Sequence, residues 1–72
     1  MNGNREVTYV IACKDIGIDN CAFEAKGDTV DAAVRKMINH LTHDHQVIYE
    51  AMLAAKSKEQ IEADMKGKAR EA

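Results

Sequence analysis

The sequence contains no proline and no tryptophan, and its aromatic residues are two tyrosines and one phenylalanine. The hydrophobic fraction is nonetheless 46% and the charged fraction 31%. That combination is globular, neither disordered nor collagen-like. A long apolar run is also lacking. The longest are Val10-Ile11-Ala12-Cys13 and Ala51-Met52-Leu53-Ala54-Ala55, far short of the roughly 20 residues of a membrane-spanning helix. No signal-peptide pattern opens the chain, which begins Met-Asn-Gly-Asn-Arg-Glu. A cytoplasmic protein with reduced thiols is therefore expected, with no membrane association.

An excess of one charge is missing too. Ten Lys and Arg stand against twelve Asp and Glu, for a net charge of -2. A nucleic-acid surface normally carries a basic stripe, and none is present, so a nucleic-acid partner is disfavoured. The stretch Lys56 to Arg70 holds five basic and three acidic residues and reads as a solvated helix face. With 72 residues the chain makes one small domain. Such a domain buries only about 60% of its unfolded surface and usually needs a staple.

What is present has a clear order. Val7-Thr8-Tyr9-Val10-Ile11-Ala12-Cys13 is rich in β-branched residues and reads as a strand. Asp, Gly and Asn between Lys14 and Asn20 favour a turn, and Cys21-Ala22-Phe23-Glu24-Ala25 reads as a second strand. Pairing Cys13 opposite Cys21 sets Ile11 opposite Phe23 and Tyr9 opposite Ala25. The strand period of two then puts both sulfurs on the apolar side of the hairpin, with Phe23 in the core. Asp15 and Asp19 are expected to bond loop N–H groups, and Gly17 to take a positive φ. Gly27 ends the second strand.

A helix over 29–42 follows, capped by Asp28 or Thr29. Its apolar positions Val30, Ala33, Val34, Met37, Ile38 and Leu41 form one buried stripe. Thr42-His43-Asp44-His45 interrupts the pattern. Residues 45–55 read as helix again, and the capping-box spacing Ser57-x-x-Gln60 opens a last helix over 58–66. One unbroken helix over 46–66 is the alternative. The last helix has few apolar residues, so a protein partner or a second copy is expected on the C-terminal helices. The fold class expected is α+β: a β-hairpin packed on a helix in zinc-finger-like ββα order, then one or two C-terminal helices. In domain terms this gives a flexible tail at 1–6, a hairpin-helix metal-binding unit at 7–55, and a C-terminal helix and tail at 56–72.

The informative constellation is Cys13, Cys21, His40 and His45, with His43 inside the last gap. Thiolate and imidazole are the ligands zinc prefers, usually four in a tetrahedron. Seven residues separate the cysteines, longer than the usual two to four. On an unbroken helix His40 and His45 point roughly 140° apart. Binding both requires the helix to end between them, and Thr42 and Asp44, poor helix-interior residues, supply the reason. His43 sits opposite the apolar stripe and should face solvent. The metal ligands expected are therefore Cys13, Cys21, His40 and His45, with His43 as the reserve for either histidine. The competing readings are a disulfide, which the compartment disfavours, and plain buried thiols.

The stretch Cys13-Lys-Asp15-Ile-Gly17-Ile-Asp19-Asn-Cys21-Ala-Phe23-Glu-Ala-Lys-Gly27, followed by a helix ending in His40 and His45, resembles a family of small prokaryotic proteins. They are described as predicted small metal-binding proteins and as a domain of unknown function. The resemblance covers roughly residues 7 to 48 and implies the same four ligands. Two departures stand out: Asn20 lengthens the cysteine spacing by one, and Gln46 stands where a glycine often follows the last histidine. The function expected is a non-enzymatic zinc-binding protein, other transition metals being possible. A thiol-based metal-handling or redox-sensing protein, or an accessory subunit that binds a partner without metal, is the alternative. Catalysis is disfavoured because so short a chain leaves little room for a pocket of about 300 Å³ or more and no His-Glu-x-x-His motif occurs.

Overall fold

Tyr9-Val10-Ile11-Ala12 forms β1, the central strand of a three-stranded antiparallel sheet in a computed structural model that describes residues 7–71. The chain leaves β1 into a short 3₁₀ turn at Cys13–Ile16, which Gly17 closes at φ 107°. It returns along β2, Glu24–Gly27. Tyr9 pairs with Gly27, Ile11 with Ala25 and Ala12 with Glu24. The fold is α+β, with the early hairpin followed by helices, as the sequence implies.

The register differs from the expected one by two residues, because the turn takes Cys13 out of the strand and leaves Cys21 to Phe23 in the connection. An even slip preserves the faces. Ile11, Cys13 and Ala25 remain together in the core, at 0%, 0% and 1% exposure. Phe23 does not join them. It lies opposite Cys13, which donates its N–H to the Phe23 carbonyl at 2.9 Å, beyond the end of the ladder, and its side chain sits at the rim with 37% exposure.

Helix α1, Val30–Asp44, packs over the sheet. Thr29 is its cap, its Oγ1 accepting from the Ala32 N–H at 3.0 Å. Ala33, Val34, Met37 and Leu41 are the buried stripe. Gly27 is where strand and helix approach most closely. A Cβ there would stand 2.7 Å from both the Ala32 Cβ and the Ala33 backbone nitrogen, and backbone cannot swing aside.

The helical pattern breaks at His45, whose φ -135° and ψ 44° end α1 and start α2, Gln46–Ala55. The break needs no glycine, so Gln46 does not prevent it. Thr42 bonds back to the Ile38 carbonyl at 2.8 Å, a local bond that competes with helix continuation. A second break at Lys56 and Ser57 separates α3, Lys58–Lys68. Ser57 Oγ accepts from the Gln60 N–H at 3.1 Å, but the Gln60 side chain turns to Asp64 at 3.0 Å, so only half of the capping box forms. Two helices, not one, span this region. After α3, Arg70–Glu71 makes β3 on the other side of β1, which the sequence pattern does not announce. The expected flexible tail at 1–6 lies outside the described residues.

Ile61 and Met65 of α3 are each 1% exposed and belong to the main core with Ile11, Met37 and Leu41. The apolar residues of α3 are thus spent on its own chain. Ile61→Ala is expected to cost about 2–4 kcal/mol, measured by urea denaturation. Wild-type stability would mean that α3 does not complete the core.

Candidate metal centre

Four chain segments meet at one end of the sheet. Cys13 opens the 3₁₀ turn and is fully buried, and Cys21 sits half-buried in the connection to β2. The loop between them is pinned by its own backbone. Ile18 N–H donates to the Cys13 carbonyl and Cys21 N–H to the Ile18 carbonyl, both at 3.4 Å. His40 comes from the third turn of α1, and His45 is the joint between α1 and α2. One donor atom from each of Cys13, Cys21, His40 and His45 lies within 4.8 Å of the other three. A tetrahedron with bonds of about 2.0–2.3 Å has edges of about 3.3–3.8 Å, so a small contraction would seat a metal ion.

The break at His45 answers the angular problem on a straight helix. With the backbone turned there, the two imidazoles sit 4.9 Å apart between ring centroids, edge to face at 77°. His43 stays on the outer face, its Nδ1–H donating to the Asn39 carbonyl at 2.8 Å. It takes no part in the cluster.

Each histidine offers a distinct nitrogen. His40 Nε2 lies 3.2 Å from Cys21 Sγ, and its Nδ1 lies 3.3 Å from an Asp44 carboxylate oxygen. Metal-binding histidines commonly show this arrangement, the carboxylate fixing tautomer and ring orientation. His45 Nε2 is buried and has no hydrogen-bond partner. An unpaired buried nitrogen costs about 1–3 kcal/mol, and a metal bond would satisfy it. The residues present therefore fit a metal, on donor chemistry as well as on distance.

The Cys13 thiol shows the electrostatic cost of ionising a sulfur at this buried position. Cys13 is pushed up from 9.0 to about 12, first by burial, then by the neighbouring Cys21 sulfur. A bound dication inverts this balance and holds thiolates in the deprotonated form.

Two residues beside the site do more there than their sequence pattern implies. Phe23 lies flat on His40, ring centroids 3.9 Å apart and planes 13° apart, so it covers a candidate ligand rather than filling the core. Asp44 was legible as a helix breaker only, although its i, i+4 spacing from His40 is the signal for a side-chain pair. Asp15 also departs from expectation. Its carboxylate accepts from Arg70 at 2.8 Å, tying the turn to β3 instead of bonding loop amides.

A family model described as Protein of unknown function (DUF1059) matches residues 8–63. The chain belongs to that family. No curated protein and no solved structure matches the chain. Among the described residues no helix is long and apolar enough to cross a membrane.

The folded, metal-free protein holds the Cys13 proton more tightly than the unfolded chain does. Its stability is accordingly expected to be complete below about pH 9 and to fall as the pH rises toward 12. Urea midpoints across that range check this, and a midpoint unchanged up to pH 12 contradicts it. At pH 8 an alkylating reagent should label Cys21 well before Cys13.

Proposed function

We propose that this member of a family without an assigned function is a small non-enzymatic metal-binding protein, with zinc held by Cys13, Cys21, His40 and His45. The observation that carries the reading is the buried, partnerless Nε2 of His45 in a cluster that already offers two sulfurs and a second imidazole. Thiolate and imidazole together select zinc or another borderline transition metal over magnesium or calcium. Four protein ligands fill a tetrahedral site, whereas hydrolytic zinc keeps one position open for water. That favours a structural ion over a catalytic one.

Energetics point the same way. A structural zinc provides about 10–16 kcal/mol of apparent binding free energy at neutral pH, against about 3–5 kcal/mol from the core of a domain this small. The ion would tie the turn after β1, the connection before β2, the end of α1 and the start of α2. Both cysteines must stay reduced for this, which suits a cytoplasmic setting. The expected partner surface narrows to α2, where Val47, Ile48 and Leu53 are exposed, because α3 has committed Ile61 and Met65 to its own core.

Metal handling is the second reading, favoured by the half-buried Cys21 on a loop. Exchange separates the two: a structural zinc leaves slowly in the presence of a competing chelator, a transferred one quickly.

Native mass spectrometry of protein refolded with zinc is expected to show one ion per chain. Cys13→Ser and His45→Ala should abolish stoichiometric loading. A wild-type chain that takes up no zinc, with an unchanged far-ultraviolet spectrum and melting temperature, would overturn the reading. Asp44→Asn should keep the fold and weaken zinc binding by about 10–100-fold, measured by chelator competition.

A further inference from the structure

The sheet order is β2-β1-β3, so among the described residues β2 pairs on one side only. The ladder fixes which of its backbone groups are left over. Cys13 N–H bonds to the Phe23 carbonyl, which makes that opposed pair a hydrogen-bonded one. Bonded pairs alternate along an antiparallel ladder, so Ile11 with Ala25 and Tyr9 with Gly27 are bonded in turn. Glu24 and Lys26 therefore direct their N–H and C=O groups away from β1, to the open edge. Their side chains are exposed as well.

Edge strands are usually protected by charge or by being short. Here the charge pattern is self-complementary instead. If two β2 strands meet antiparallel with a two-fold axis at Ala25, Glu24 of each copy falls opposite Lys26 of the other. These are also the residues whose backbone groups point outward, so the bonded phase of the new ladder coincides with the charge pairing. Four backbone hydrogen bonds and two cross-strand ion pairs would form together. A shift by one residue in either direction loses both, since Ala25 and Gly27 direct their backbone groups inward.

We infer that the β2 edge is a homodimerisation surface, joining two copies into one six-stranded antiparallel sheet. The partner is a second copy because the edge matches itself in charge and in hydrogen-bond phase at a single register. A four-residue strand is only about 13 Å long and falls short of the about 800 Å² per partner of a stable interface. The dimer is therefore weak and concentration-dependent. It does not rest on the metal reading, as it uses no ligand residue.

Sedimentation velocity of the zinc-refolded wild-type chain over a wide concentration range tests it. The weight-average coefficient should climb from monomer toward dimer as concentration rises. Lys26→Glu alone and Glu24→Lys alone each place like charges opposite one another, and each should weaken association about tenfold or more. Mixing the two variants restores both ion pairs in a heterodimer, and the double variant Glu24→Lys/Lys26→Glu restores them in a homodimer. Glu24 also lies 3.7 Å from Arg70, so Lys26→Glu, which leaves that contact alone, is the cleaner single change. Both substitutions are on the surface, and circular dichroism of all three variants should confirm an unchanged fold. A wild-type chain that stays monomeric throughout overturns the inference. So does a dimer that ignores both charge variants but is lost in Val47→Lys, which would assign association to α2.

Discussion

The backbone break at His45 is the constraint from which the rest of the molecule follows. Two histidines five residues apart on a continuous helix face directions roughly 140° apart. One residue with φ -135° and ψ 44° brings both rings to the same point in space, against two sulfurs delivered by the sheet. Without that turn the cysteines would face a single imidazole and the nitrogen of the other would lie elsewhere. The helices are also laid out by it: α2 departs in a new direction, and α3 can fold back to place Ile61 and Met65 beneath β1 and α1.

The sheet side of the cluster rests on a different device. The connection from Cys13 to Cys21 is held by a 3₁₀ turn, a left-handed glycine and two backbone bonds, and from outside by Arg70 reaching Asp15. The extra residue at Asn20 is absorbed within this connection, so the lengthened cysteine spacing does not separate the donors. β1 links the two halves. It lies between β2 and β3, and its last residue, Ala12, is followed at once by Cys13, one of the four donors of the cluster.

Much of this was readable from the residues, for physical reasons that also explain the gaps. The α1 stripe from Val30 to Leu41 has the helical period, and its cap at Thr29 is local chemistry, so both emerged from the sequence. The four donors were recognisable because few other side chains share their affinity for soft cations. The strand register differs from the expected one by two because pairing depends on where the turn ends, and a 3₁₀ turn starting at Cys13 has no distinctive composition. That slip moves Phe23 out of the expected core position and places it over His40. β3 has two residues, and it is held by a tertiary ion pair that no local pattern encodes. The composition around Asp44 signals a disruptor of helix, whereas its contact with His40 Nδ1 depends on where the ring sits in the folded chain.

His45 belongs to the cluster and is at the same time the pivot between two helices. Its backbone angles set the direction in which α2 leaves α1, and its ring stands among the donor atoms. The ten-residue helix therefore starts from the cluster itself. Val47 and Leu53, exposed on α2, therefore point in a direction set by the same residue that supplies a donor atom to the cluster.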